Sequence, residues 1–146
     1  MHPLIKSEST APIVMVDDNE MDILIAVRCL KRSKLKSRLI GVRSGEAFLE
    51  HLDHVERGDE GMPALVLLDI NMPGMDGFET LRRVRARAAF RALPIVMMLT
   101  NSDSPGDIER SRTLGATGFK TKPLRLEDHV AFFNGLLEED GAPLQS

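Results

Sequence analysis

The sequence predicts an α/β protein: a doubly wound, mainly parallel open sheet with helices on both faces. Three observations predict it. Apolar, strand-length runs rich in β-branched residues alternate with helical patterns along the chain. The clearest runs are apolar throughout rather than alternating with polar residues, as in strands covered on both faces. The 146 residues suffice for one sizeable core and are too few for two ordinary ones.

The elements follow in order. Ile13-Val14-Met15-Val16 stops at Asp17-Asp18, and Asp18 or Asn19 can cap a helix running to about Ser33. The run from Arg38 to Val42 is weaker, and Ser44 precedes a helix through about Val55. A polar, glycine-rich connector from Glu56 to Pro63 leads to Ala64 to Leu68, which ends at Asp69. Asp76-Gly77-Phe78-Glu79 has the spacing of a capping box and opens a helix through about Ala88. Ile95 to Leu99 stops at Thr100. Ser104 then caps a helix with Pro105 at its first position, and Gly115 closes it. Gly118-Phe119-Lys120-Thr121 is short and more polar and reads as an edge strand, and Leu126 to Leu137 supplies the last helix. Right-handed crossovers leave few topologies, of which the flavodoxin-like (βα)5 order 2-1-3-4-5 is the common one. Residues 1–11 are expected to form an N-terminal extension, 12–138 the domain and 139–146 a flexible tail.

Composition narrows the function. Apolar residues make up 42% and charged residues 28%, with a mean hydropathy of −0.12, the profile of a globular protein. A formal charge of −3 and a pI near 5.8 give no global attraction to nucleic acid or to anionic membranes, and no Trp or Tyr interleaves the basic residues. The arginines at 82, 83, 85, 87 and 91 spread over too many faces for one stripe. Lys31, Arg32, Lys34, Lys36 and Arg38 sit where cations favour a helix C-terminus. Cys29 is the only cysteine and falls inside an apolar helical pattern, so it reads as a buried thiol in a reducing compartment. With neither a secretory signal nor a run of about 20 apolar residues, the chain is expected to be cytoplasmic. His51 and His54 share a helix face but lack further Cys or His nearby, so they read as surface residues.

The chemistry lies at the strand ends. In such a sheet, ligands bind beyond the carboxyl ends of the strands, where strand order reverses. The residues there are Asp17-Asp18, Asp69, Thr100 and, slightly further on, Lys122. Carboxylates at close range repel one another and call for a cation, and oxygen-only donors suit a hard ion such as Mg²⁺. Lys122 supplies a point charge for phosphate, and Thr100 can donate to a phosphoryl oxygen. Positioning and charge neutralisation are what phosphoryl transfer mainly asks of a protein. Asp69 stands alone at the end of the most apolar central strand and is the candidate nucleophile, giving an aspartyl phosphate. Pro73-Gly74 bends the following loop back over this rim, and the Asn71 backbone carbonyl is a further candidate metal ligand.

Through Asp17-Asp18, Asp69, Met72-Pro73-Gly74-x-Asp76-Gly77, Thr100 and Lys122-Pro123, the chain resembles the receiver domains of bacterial response regulators from about Pro12 to Leu137. The resemblance implies phosphorylation of Asp69, with Mg²⁺ held by Asp18, Asp69 and the Asn71 carbonyl and with Asp17 acting mostly through water. It implies that Lys122 and Thr100 grip the phosphoryl group and that the Lys122–Pro123 peptide is cis. It makes Thr100 and Phe119 the switch pair, altering the face of helix 4, strand 5 and helix 5. The chain departs from the common pattern at Asn101, where a small residue is usual, and at Leu124, where an aromatic is common. Leu99-Thr100-Asn101-Ser102 and the long connector before strand 3 are similar to small receivers paired with phytochrome-type sensor kinases.

The expected function is therefore that of a single-domain response regulator in a two-component or phosphorelay system, catalysing only its own phosphorylation and dephosphorylation. Expected partners are a sensor histidine kinase or histidine phosphotransfer protein and a downstream protein target, with neither nucleic acid nor membrane and with homodimerisation left open. Met21 and Ile25 on helix 1 mark the expected kinase-docking surface. Two rivals stand beside this reading. One is a small phosphatase or phosphotransferase using an aspartyl intermediate; it usually carries a second carboxylate two residues after the nucleophile, where this chain has Asn71. The other is a receiver-fold interaction module that no longer switches.

Overall fold

A computed structural model of the chain describes residues 5–6, 8–99 and 105–138. Its principal sheet comprises β1 (Ile13–Val16), β2 (Leu39–Val42), β3 (Leu65–Asp69), β4 (Ile95–Leu99) and β5 (Gly118–Thr121). The helices are α1 (Glu20–Arg32), α2 (Gly45–Glu56), α3 (Gly77–Arg85), α4 (Pro105–Thr113) and α5 (Leu126–Gly135). All neighbouring strands are parallel, in the spatial order β2-β1-β3-β4-β5, so the expected topology is present.

The uniformly apolar strands are explained by a core on each face of the sheet. Ile13, Met15, Leu65, Leu67, Val96 and Met98 pack with Ala26, Cys29 and Leu30 of α1 and with Phe132 and Phe133 of α5. Their alternate neighbours Val14, Val16, Val66, Leu68, Ile95 and Met97 pack with Phe48 and Leu52 of α2 and Phe78, Leu81 and Val84 of α3. Successive side chains of a strand point to opposite faces, so both sets must be apolar. Cys29 is buried, and that burial pushes its thiol pKa up against the opposing charge of Arg32.

Side chains decide the helix starts. Asn19 caps α1, its Oδ1 accepting from the Met21 and Asp22 amides at 2.9 and 3.2 Å. Ser44 caps α2 through the Ala47 amide, and Asp76 caps α3 through the Glu79 amide. The Glu79 carboxylate does not close a capping box; it pairs with Arg82 and Arg83 at 2.6 and 2.8 Å. Gly115, at φ +95°, ends α4 in the left-handed region as expected. Ser104, expected as the α4 cap, lies outside the described residues.

Two features were not anticipated. After α3 the chain makes a short 3-10 turn, Ala88–Phe90, fixed by Arg85 donating to the Phe90 carbonyl at 2.7 Å. Ile5–Lys6 also pairs in parallel with Leu137–Glu138, the Ile5 amide bonding the Leu136 carbonyl at 2.8 Å and the Ile5 side chain lying in the core.

Candidate functional site

Two adjacent parallel strands deliver the acidic residues. Val16 and Leu68 are paired in register, so the residues that follow them, Asp17 and Asp69, leave β1 and β3 side by side. Asp18 follows on the turn into α1. One oxygen from each of Asp17, Asp18 and Asp69 lies within 4.8 Å of the others, and this is the metal-capable group among the described residues. Asp17 and Asp69 are buried, whereas Asp18 is half-buried.

The fourth component comes from beyond β5. The Lys122 amide bonds the Leu99 carbonyl at 2.8 Å, tying the start of the β5–α5 loop to the end of β4. From there the ammonium lies 3.0 Å from Asp17 Oδ2, 3.2 Å from Asp69 Oδ2 and 3.4 Å from Asp22 Oδ2. Burial works against the charge on Lys122, but its hydrogen bond to Asp17 and the charge of Asp69 outweigh it, so its pKa is raised. Burial raises the Asp69 pKa; Lys122 opposes the rise and the Asp17 charge adds to it. A buried carboxylate with a raised pKa beside an ammonium is the kind of environment that recurs at functional sites.

The loop after β3 is held close. The Asn71 amide donates to Asp69 Oδ1 at 3.2 Å. The Gly77 amide bonds the Ile70 carbonyl at 2.9 Å, and a Cβ at Gly77 would collide with the Asp69 carbonyl oxygen. Only glycine lets the α3 N-terminus approach the strand end so closely. Gly74, at φ +74°, makes the expected turn. The Lys122–Pro123 peptide, expected to be cis, is trans, the isomer favoured for most X–Pro bonds.

The structure thus brings together Asp17, Asp18, Asp69 and Lys122, with the Asn71 backbone beside them. Thr100, Asn101 and Ser102 lie outside the described residues. Phe119 is 39% exposed on β5. Met21 is exposed on α1, where Leu24 rather than Ile25 is its exposed apolar companion.

Two contacts were missed in the sequence. Asp22 joins Lys122 from α1, and Arg43 donates through Nε and a terminal nitrogen to the Asp18 carbonyl at 3.3 and 3.1 Å. Asp22 lies in the first turn of α1, where acidic residues are common, so its type and position did not single it out. No pattern marked Arg43 either.

Comparison with known proteins agrees with this geometry. The family model for the response regulator receiver domain matches residues 13–134. The chain belongs to that family. Among curated receivers it is 32% identical over 125 residues to the probable methanogenesis regulatory protein FilR2 of Methanothrix harundinacea, covering 86% of this chain and 80% of that one. It is 31% identical over 132 residues to response regulator Rcp1 of Synechocystis, covering 88% and 89% of the two chains. The solved Mn²⁺-bound form of Rcp1 superposes with a TM-score of 0.73 at 29% identity, over 86% of this receiver and 91% of that chain. The phosphorylated cyanobacterial phytochrome response regulator RcpA gives 0.76 at 28% identity, over 88% and 91%. Receivers of this kind are response regulators of two-component systems, and the all-oxygen cluster of this chain fits a divalent cation. No helix among the described residues is long and apolar enough to cross a membrane.

Proposed function

We propose that this receiver takes a phosphoryl group from a phosphohistidine onto a carboxylate oxygen of Asp69. The observation that carries the reading is the Lys122 ammonium, 3.2 Å from Asp69 Oδ2 and 3.0 Å from Asp17 Oδ2. In the transfer, the P–N bond to the donor imidazole breaks as a P–O bond to Asp69 forms, and the imidazole keeps the electron pair. Lys122 stays protonated and neutralises charge on the phosphoryl oxygens, with Thr100 as hydroxyl donor.

Mg²⁺ is the proposed ion, held by Asp18, Asp69 and the Asn71 carbonyl with Asp17 acting through water; bound there, it neutralises phosphoryl oxygen charge. The output reading assigns the switch to Thr100 and Phe119 and makes the α4–β5–α5 face the partner surface. Similarity to the cyanobacterial phytochrome response regulator RcpA supports a phytochrome-type sensor kinase as the donor, and this role goes with a cytoplasmic protein. We take residues 12–138 as the receiver unit, to which Ile5–Lys6 adds a strand.

The test is labelling by acetyl phosphate with Mg²⁺. One phosphate per chain is expected, and Asp69→Asn should take up none. Equal labelling of Asp69→Asn would overturn the assignment.

A further inference from the structure

We propose that Asp22 is a positioning residue of this site, the carboxylate that holds the Lys122 ammonium in place while Asp69 reacts. The proposal rests on the reading of Asp69 as phosphoacceptor.

An ammonium has three protons to donate, and three carboxylates surround this one: Asp17 at 3.0 Å, Asp69 at 3.2 Å and Asp22 at 3.4 Å. Their situations differ. Asp69 is the group that changes, because phosphorylation turns one of its oxygens into the bridging oxygen of an acyl phosphate and puts the new anionic oxygens on phosphorus. Asp17 is shared, since its oxygens also belong to the acidic cluster with Asp18 and Asp69. Asp22 lies outside that cluster, so among the three it is the partner whose charge toward Lys122 neither the acceptor reaction nor the cluster alters.

Packing alone does not fix the lysine. Lys122 borders a cavity of about 210 Å³ that it shares with Asp17, Asp22, Met15, Met98 and His129, so its head has room to swing. Asp22 itself is held, because its amide donates to the Asn19 cap at 3.2 Å in the first turn of α1. A lysine that retains two carboxylate anchors can turn its third proton to a phosphoryl oxygen without a search, which is preorganisation. With Asp22 neutralised, only the shared Asp17 remains.

The test uses the full chain with beryllofluoride and saturating Mg²⁺, affinity being read from amide NMR shifts and labelling rates from acetyl phosphate. Asp22→Asn should weaken beryllofluoride binding and slow labelling by about fivefold, the size set by a half-exposed ion pair. Asp22→Glu should recover part of the loss. In a Lys122→Met background, where labelling is already slow, Asp22→Asn should change the rate no further, because it acts through the lysine. In metal-free protein, the two Lys122 Hε resonances should be distinct in the parent and merge in Asp22→Asn.

The proposal is overturned if Asp22→Asn binds beryllofluoride as the parent does, or if it slows labelling equally in the Lys122→Met background. Failure of the parent itself to bind beryllofluoride has a different meaning: it removes the phosphoacceptor reading, and the proposal falls with it.

Discussion

Helices α4 and α5 both neighbour β5 in the chain, and they are attached to the body of the protein in different ways. From α5, Phe132 and Phe133 enter the core with ring centroids 5.7 Å apart, and Leu136 follows them just beyond the helix end. From α4, Ser111 is the buried residue, its hydroxyl donating to the Asp107 carbonyl of the same helix, while Ile108 is only partly buried against the core. A cavity of about 160 Å³ runs between α4 and β5, lined by Ser111, Arg112 and Phe119 among others. Buried apolar contact sets the free energy of local opening, so the α5 side is the anchor and the α4 side is the part able to rearrange at small cost. Lys122 leaves β5 toward the first side, and Phe119 lies beside the second.

The sharpest way to break this contrast is by truncation on each helix. Phe133→Ala should cost 3–5 kcal/mol, roughly the usual range for a buried aromatic, and Ile108→Ala less than about half of that, both read from urea unfolding. Equal losses would mean that α4 is as firmly anchored as α5. Next in size, Gly77→Ala should cost about 1–3 kcal/mol, because the new Cβ meets backbone rather than a flexible side chain. It should also lower the labelling of Asp69, since the strand end must shift.

The smallest expected change is a gain. The Asp69 pKa is raised in the folded protein, so the native state binds more protons than the unfolded one in the range above the ordinary aspartate value. Stability therefore falls as pH rises through that range, and at neutral pH the ionised carboxylate is a burden. In metal-free protein, Asp69→Asn should raise stability at pH 7 by on the order of 1 kcal/mol, with Lys122 still paired to Asp17 and Asp22. The advantage should shrink as pH falls and Asp69 takes up its proton, which thermal unfolding across a pH series would show. A gain that persists unchanged in acid would contradict an origin in the ionisation of Asp69.

Much of this was legible because the relevant signals are local. β1, β3 and β4 are buried on both faces, so each appears as an uninterrupted apolar run, and the first polar residue after the run marks the rim. That is why Asp17 and Asp69 could be placed together, while Lys122, just beyond the more polar β5, joined them through the expected strand order, from more than 100 residues along the chain from Asp17. What escaped depends on side-chain direction or on competition. Asp22 reads as an ordinary acidic residue of a helix first turn until its rotamer brings it to Lys122. Glu79 has the capping-box spacing, but two arginines within a turn of it claim its carboxylate. The strand pair Ile5–Lys6 with Leu137–Glu138 is two residues long and joins distant segments, so no periodicity announces it.

The acidic cluster also shapes the field around the molecule. Asp17, Asp18, Asp22 and Asp69 set against Lys122 leave this corner formally three charges negative, and the whole chain carries −3. The remaining formal charges of the chain sum to zero, so its net negative charge resides in this corner. At physiological ionic strength the field of that charge reaches about 8 Å into solvent, concentrating cations at the rim and holding off anionic donors. Salt should thus weaken the attraction of cations to this corner and ease the approach of anionic donors.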